Sequence, residues 1–133
     1  MDEKVVRVPG DVGHKDTYPF PVIFSVVKGV KVRDLVSPPT PTIREKSLLS
    51  ALKLARKGVR VIATSCGLAV LLQNTLSTSL DVPVITSGLL ALPLLKSIFS
   101  APGSIGVITA DSRLLKPWHL EAAGVSANDI VVK

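Results

Sequence analysis

Short apolar runs alternate along the chain with longer segments in which leucines recur every three or four positions. The runs Val59–Thr64, Val82–Thr86 and Ser104–Thr109 have the length and composition of buried β-strands, and Ile130–Val132 begins a further one. A segment in which apolar residues recur at helical spacing follows each of the first three runs. The third of these segments ends at Gly124. The crossovers are about ten to fifteen residues long. This order predicts an α/β fold, in which a parallel sheet is flanked by helices.

Two further elements are predicted before the first of these runs. Over residues 42–57 leucines fall at helical spacing, Thr42 can cap the start of the helix, and Gly58 can end it. Residues 1–21 are rich in proline, glycine and aspartate, which predicts a long loop at the rim of a site. The stretch Val22–Lys28 is rich in β-formers and is predicted as a strand.

The composition is that of a single lobe spanning residues 1–133. Hydrophobic residues make up 47% of the chain but aromatic residues only 4%, so Leu, Val, Ile and Ala must fill the core. The formal net charge of +6 raises the question of nucleic acid as a partner. Most basic residues precede Val61 and are interleaved with acids, without aromatic side chains on which bases could stack. We therefore expect a solvated basic face, which also fits a small carboxylate substrate, and no nucleic-acid groove.

Cysteine usage and the pattern at the amino terminus indicate a cytoplasmic protein without a metal site. One cysteine, Cys66, allows no internal disulfide, and no group of Cys and His has zinc-ligand spacing. The amino terminus is charged and is not followed by an apolar signal segment. The uncharged run Val61–Leu80 approaches the length of a membrane span, but Gly67 and several polar residues interrupt it, so no span is expected.

Polar residues follow the predicted strands at the points where the strands end. In parallel sheets, ligands bind beyond the carboxyl ends of the strands. We therefore expect the site to be built from three groups of residues, which are Thr64, Ser65 and Cys66 after the first run, Thr86 and Ser87 after the second, and Thr109 and Asp111 after the third.

Cys66 has the most distinctive chemistry of these residues. It follows an apolar strand and precedes a helix, where free backbone N–H groups and the helix dipole favour a thiolate. A thiolate can be a nucleophile, a base or a metal ligand, and the metal role lacks co-ligands. Thr64, Ser65 and Gly67 add hydroxyls and an unhindered amide suited to holding a carboxylate. The alternative interpretation is a small buried hydrophobic residue without a chemical role.

Four other polar residues have a structural interpretation beside a chemical one. His14 and His119 could serve as general acids or bases, but both are expected to be solvated surface histidines. Asp111 could orient a catalytic group or cap the helix that follows it, and Asp11, between turn positions, has the same ambiguity. Neither a glycine-rich nucleotide loop nor a Gly-x-Ser-x-Gly sequence is present, so nucleotide binding and serine hydrolysis are not supported.

Three of these segments together resemble the aspartate/glutamate racemase superfamily. They are residues 58–67 (GVRVIATSCG), 82–87 (VPVITS) and 105–111 (IGVITAD). The early sequences Pro9–Gly13 and Tyr18–Val22 resemble the substrate-side loop of one branch of that superfamily. The resemblance implies two flavodoxin-like or Rossmann-like lobes that face each other. One cysteine from each lobe flanks the α-carbon of the substrate, with neither pyridoxal phosphate nor metal as a cofactor.

The resemblance implies a cofactor-independent racemase or isomerase, in which Cys66 is an acid or base at the α-carbon of an amino acid or related carboxylate. Thr64, Ser65 and Gly67 would hold the carboxylate, and a wider set would line the crevice, namely Asp11, Thr86, Ser87, Thr109 and Asp111. Hydantoin racemase, maleate isomerase and decarboxylase activities are alternatives, as is a non-catalytic lobe that binds a small anion. The chain corresponds to the first lobe only, so we expect a truncated member whose exposed apolar face is covered by a second copy or a complementing lobe.

Overall fold

Two pairs of short parallel strands organise the fold in the computed structural model, which describes residues 6–99, 101 and 105–132. β1 (Ile62–Ala63) lies beside β2 (Val84–Ile85), with Ile62 opposite Val84. β3 (Gly106–Val107) lies beside β4 (Val131–Val132). Within the described residues, no strand joins the two pairs into one sheet.

Helices and turns make up most of the described chain. The α-helices are α1 (Pro41–Ala55), α2 (Gln73–Ser77), α3 (Leu92–Ile98) and α4 (Pro117–Ala122). Tighter 3₁₀ turns occupy Lys15–Thr17, Val32–Leu35, Gly67–Leu72, Gly88–Ala91 and Ala127–Asp129. None of the described helices is long and apolar enough to cross a membrane.

The predicted helix over 42–57 is confirmed as α1, with a different cap. The hydroxyl oxygen of Thr40, rather than of Thr42, accepts a hydrogen bond from the backbone N–H of Ile43 at 3.4 Å. Pro41 follows at the first helical position, where its missing N–H costs no hydrogen bond. Beyond the helix Gly58 adopts a φ of +75°, a left-handed conformation that glycine favours, so it ends the helical segment as predicted.

The predicted α/β fold with one flavodoxin-like or Rossmann-like sheet flanked by helices is wrong. The three predicted strand runs contribute only two paired residues each. The predicted strand at 22–28 is irregular backbone, in which Ile23, Phe24 and Val26 are exposed. An apolar run indicates burial. The length of a strand depends instead on which other segments pair with its backbone, and the periodicity of the run does not show that pairing. Residues 1–5 and Ser104, which begin the predicted loop and the third run, lie outside the described residues.

Two clusters of buried side chains form the core, and the turn Gly67–Leu72 contributes to both of them. Leu68, Ala69 and Leu72 join the cluster that contains Ile62 and Val84 of the first strand pair, whereas Val70 joins the cluster around α4 and the second pair. Each leucine-sized side chain removed from water contributes about 1.5–3 kcal/mol, so the turn is held firmly from two sides. The position of the preceding residue, Cys66, is fixed with it.

His119 of α4 is fully buried, which corrects the prediction of a solvated surface histidine. Its Nδ1 accepts a hydrogen bond from the backbone N–H of Lys116 at 2.9 Å. Nε2 must therefore carry the ring proton, and it donates to the backbone carbonyl of Leu35 at 2.8 Å. Trp118 Nε1 donates to the carbonyl of Val36 at 3.0 Å. These bonds hold α4 against the segment that precedes α1.

One side chain, the amide of Gln73 at the start of α2, closes the outer edge of β2. Its Nε2 donates to the carbonyl of Val84 at 3.0 Å. Its Oε1 accepts from the backbone N–H of Thr86 at 3.0 Å and from the hydroxyl of the same residue at 2.8 Å. The amide thus occupies the donor and acceptor positions that a further strand would use. Because the Gln73 side chain makes the hydrogen bonds that a third strand would make, the first sheet stops at two strands.

Replacing Gln73 with leucine should lower the free energy of unfolding by about 1–3 kcal/mol, because the Val84 carbonyl and the Thr86 N–H would lose their partner. Urea-induced unfolding followed by circular dichroism measures this change. The matched control is Asn74→Leu, at an exposed position of the same helix, which should change stability by no more than about 0.5 kcal/mol. Equal losses in the two variants would contradict the role of Gln73.

Candidate functional site

A cavity of about 660 Å³ lies where the chain leaves β1, β2 and β3. Its apolar wall includes Leu89, Leu92 and Leu95. Its polar wall contains residues from all three strand ends, namely Ser65, Cys66, Gly67, Ser87, Thr109 and Asp111. The structure therefore brings these six predicted site residues to one cavity, although the strands that they follow belong to two separate pairs.

Cys66 is half-buried in the wall of this cavity, directly before the turn Gly67–Leu72. Its backbone is extended, with φ −127° and ψ 118°, and its carbonyl accepts a hydrogen bond from the N–H of Ala69 at 3.0 Å. The side chain packs against the first core cluster and also faces the cavity that it lines. A thiol in this position is sheltered from bulk water and still open to a small ligand.

The neighbours of Cys66 leave the turn open toward the cavity. Ser65 is exposed, and its hydroxyl oxygen lies 3.5 Å from Nη2 of Arg7, from which it accepts a hydrogen bond. A Cβ atom added to Gly67 would meet Oγ of Ser87 at 3.8 Å, which is an ordinary contact. Packing therefore does not require glycine at this position, and the missing side chain leaves room in the cavity rather than in the core.

Thr64 and Thr86 do not line the cavity but lie behind its wall. The hydroxyl of Thr64 donates to the backbone carbonyl of Thr86 and also lies 3.3 Å from the carbonyl oxygen of Cys66. Thr86 is fully buried, and its own hydroxyl donates to Gln73. In this structure both threonines position the strand ends. The substrate-binding role expected of them stays a prediction.

Ser87, Thr109 and Asp111 line the cavity with different surroundings. Ser87 is buried, and its Oγ accepts from the N–H of Leu89 at 3.1 Å. Thr109 is half-buried. Asp111 accepts from the backbone N–H of Arg113 at 2.9 Å and from its guanidinium at 2.9 and 2.8 Å. Asp111 thus closes the turn that follows it. Contrary to the prediction from its position in the sequence, it does not cap a helix, because α4 begins only at Pro117.

Asp11 does not line the cavity but binds a residue that does, Arg7. Nη1 of Arg7 donates to both carboxylate oxygens of Asp11, at 2.8 and 3.0 Å, and the backbone N–H of Gly13 donates to Oδ1 at 2.6 Å. Arg7 could not be singled out from the sequence, because one arginine among sixteen basic residues has no distinguishing pattern. Its spacing of four residues from Asp11 was the one available signal.

Two carboxylates near the cavity have lowered pKa values. The backbone N–H of Gly13 is the main cause of the lowered pKa of Asp11, and Arg7 adds to it. The guanidinium of Arg113 is the main cause of the lowered pKa of Asp111. Both groups are therefore ionised and weakly basic at neutral pH, which makes them poor acceptors for a substrate proton. In the part of the chain that the structure describes, no group of three or more His, Cys, Asp or Glu could hold a metal ion.

Comparison with known proteins relates the chain to enzymes of the lyase class. It is 30% identical over 114 residues to the dimethylsulfoniopropionate lyase of Durusdinium sp. clade D, a match that covers 84% of this chain and 38% of that protein. It is 29% identical over 111 residues to dimethylsulfoniopropionate lyase 7 of Emiliania huxleyi (strain CCMP1516), covering 83% of this chain and 33% of the relative. The chain thus spans well under half the length of these curated relatives. No family model matches it, and no solved structure matches it significantly.

These relatives correct the resemblance to the aspartate/glutamate racemase superfamily, which is wrong. They are named as lyases, so the predicted function of an amino-acid racemase or isomerase is wrong as well. The alternatives, which were hydantoin racemase, maleate isomerase, decarboxylase and a non-catalytic anion-binding lobe, do not match the relatives either. The reason is that the quoted motifs describe a thiol in a small polar turn after a strand, and such a turn is compatible with more than one reaction of a carboxylate.

A ¹³C NMR titration should place the pKa of the Asp11 carboxyl below the ordinary value of about 3.9 for aspartate. Because the folded-state pKa is lowered, this carboxylate contributes stability above the unfolded-state pKa, and the contribution is lost as the pH falls through the folded-state pKa. Arg7→Ala should raise the pKa only in part, since the Gly13 N–H is the main cause and remains. A return to the ordinary value in Arg7→Ala would contradict that order of causes.

Proposed function

We propose that this chain carries the active site of a lyase that releases dimethyl sulfide from dimethylsulfoniopropionate or a closely related small carboxylate. The similarity to two proteins named as dimethylsulfoniopropionate lyases extends over 84% and 83% of the chain. The observation that carries the proposal is the position of Cys66, the single cysteine, in the wall of a cavity that it shares with polar residues from three strand ends. The cavity, of about 660 Å³, has room for a ligand of this size.

The structure of this substrate defines the reaction that the site must perform. Dimethylsulfoniopropionate carries a carboxylate next to its α-carbon and a positively charged sulfur on its β-carbon. In an elimination, a base takes a proton from the α-carbon, and the electron pair left behind forms the double bond between the α- and β-carbons. The bond from the β-carbon to sulfur breaks with both electrons going to sulfur. Acrylate and neutral dimethyl sulfide leave, and the base is left protonated.

We assign the role of the base to Cys66. The two carboxylates nearby, Asp11 and Asp111, are each bound by an arginine and are weak bases. His119 is fully buried, does not line the cavity, and has both ring nitrogens in hydrogen bonds. A thiol ordinarily ionises near pH 8.5, which is close enough to neutrality for efficient proton transfer. Among the described residues that line the cavity, Cys66 is therefore the group whose chemistry best suits the role of the base.

The apolar wall of the cavity suits the leaving group. Leu89, Leu92 and Leu95 line it, and they offer contacts to the two methyl groups on sulfur. The sulfur is charged in the substrate and neutral in dimethyl sulfide, so an apolar wall interacts more favourably as the charge is lost. Such a preference for the later state assists the reaction rather than substrate binding. The proposed ligand is thus a small zwitterionic carboxylate, rather than a nucleic acid or a membrane surface.

Cys66→Ala and Cys66→Ser should each lower the rate of dimethyl sulfide release by about 10²- to 10⁴-fold, because neither side chain supplies a thiolate. Gas chromatography of the headspace above a solution of dimethylsulfoniopropionate measures this rate, and circular dichroism checks that each variant is folded.

The matched control is Ser77→Ala, which removes an exposed hydroxyl of α2 outside the cavity and should leave the rate unchanged. Undiminished release by Cys66→Ala would show that another group is the base. A folded chain of the natural sequence that releases no dimethyl sulfide would overturn the proposal itself.

A further inference from the structure

Arg7 is the only basic side chain among the described residues that line the cavity. Its side chain is about 30% exposed, so it is partly sheltered but not sealed from a ligand. The other described residues that line the cavity are glycines, apolar residues, residues with a hydroxyl group, one aspartate and Cys66. A negatively charged ligand therefore has one side chain of opposite charge to bind, and that side chain shares the cavity with Cys66.

The loop around Arg7 is built to hold the guanidinium in place. Nη1 donates to both oxygens of Asp11, at 2.8 and 3.0 Å. The guanidinium lies against Gly13, where an added Cβ atom would be 2.9 Å from both Cζ and Nε of Arg7. Gly13 does not have a left-handed backbone conformation, so a side chain at this position would be opposed by the arginine, whose guanidinium would have to shift to make room for it.

The loop is further closed by Thr17. Its hydroxyl donates to the carbonyl of Asp11 at 2.6 Å and accepts from the N–H of Gly10 at 3.0 Å. Gly10 has a φ of +98°, a conformation that favours glycine, so the turn before Asp11 is also set by the backbone. The position of Arg7 thus depends on several independent contacts rather than on one exposed ion pair.

The second terminal nitrogen of the guanidinium, Nη2, is on the side of the cysteine turn. Nη2 makes a long hydrogen bond of 3.5 Å to Oγ of Ser65, the residue next to Cys66. A guanidinium nitrogen of this kind carries two N–H donors, and a weak bond of this length is readily exchanged for a stronger one. A carboxylate is the ligand that an arginine fork binds best, through short charge-assisted hydrogen bonds.

From this geometry we infer that Arg7 binds the carboxylate of the substrate, that Asp11 and Gly13 position Arg7, and that the site is thereby specific for acids over the corresponding amides. The carboxylate carbon is bonded directly to the α-carbon, so a carboxylate held at Arg7 beside Ser65 presents its α-carbon to the turn that carries Cys66. The inference rests on the proposed function for the reaction that follows, but the binding of a carboxylate next to Cys66 can be tested without that reaction.

The test compares two reagents that alkylate Cys66, iodoacetate and iodoacetamide. In both, the thiolate sulfur forms a bond to the methylene carbon and iodide leaves with the electrons of the broken carbon–iodine bond. The reagents differ in that iodoacetate carries a carboxylate and iodoacetamide a neutral amide. Because the chain has one cysteine, mass spectrometry of the intact protein reports Cys66 alone. The ratio of the two rates cancels changes in the exposure or ionisation of the thiol.

Arg7→Gln should lower the ratio of the iodoacetate rate to the iodoacetamide rate by about tenfold, the loss expected for a charged hydrogen bond to the reagent. Gly13→Ala, which keeps the arginine but fills the space beside it, should lower the ratio in the same direction while the iodoacetamide rate is unchanged. Arg7→Lys should retain part of the preference. The matched control is Arg60→Gln, an exposed arginine before β1, which should leave the ratio unchanged.

An unchanged ratio in both Arg7→Gln and Gly13→Ala would overturn the inference. The same ratios separate it from the proposed function. If they fall as expected but the chain releases no dimethyl sulfide, the carboxylate site stands and the lyase proposal fails. If dimethyl sulfide is released and depends on Cys66 while the ratios do not change, the lyase proposal stands and the assignment of Arg7 fails.

Discussion

The amide of Gln73 is the contact on which the positions of the strand ends depend. By closing the outer edge of β2 it fixes Thr86, and the Thr86 carbonyl in turn accepts a hydrogen bond from Thr64 at the end of β1. A continuous set of hydrogen bonds therefore runs from α2 to the turn that carries Cys66. The apolar side chains of Gly67–Leu72 hold the same turn from the two core clusters. With strands of only two paired residues, these contacts replace the support that a wide sheet would supply.

The parts of the fold that could be predicted from the sequence are those that depend on local interactions. The helix α1 has its leucine spacing and its terminal Gly58 within one segment, although its cap is Thr40 and not the predicted Thr42. Residues 88–98 are helical, as their leucines indicate. The sheet could not be predicted, because pairing depends on partners that are distant in sequence. Gln73 takes the place of a strand, and Ile23, Phe24 and Val26 of the predicted strand at 22–28 are exposed. His119 looks like a surface residue in the sequence, and its burial depends on the carbonyl of Leu35, far away along the chain.

For the candidate site, the rule that ligands bind beyond strand ends led to most of the polar residues that line the cavity, although the single sheet to which it was applied does not form. Thr64 and Thr86 lie behind the wall, because a hydroxyl at the end of a strand can bond either to a ligand or to the neighbouring strand. Arg7 was missed because its partner is an aspartate in an irregular loop. The predicted racemase function is wrong, and the motifs could not exclude it. Removal of a proton next to a carboxylate begins both racemisation and the elimination that we propose, and the outcome depends on a leaving group that belongs to the substrate.

The central claim is that one cavity holds a small sulfonium carboxylate between Arg7 and Cys66. A crystal structure with dimethylsulfonioacetate tests this most directly, because this analogue lacks a β-carbon and cannot undergo the elimination. The account predicts its carboxylate within hydrogen-bond distance of Nη2 of Arg7, its methylene carbon facing the sulfur of Cys66, and its methyl groups against Leu89, Leu92 and Leu95. An analogue bound outside the cavity, or bound inside it with its carboxylate turned away from Arg7, would contradict the account.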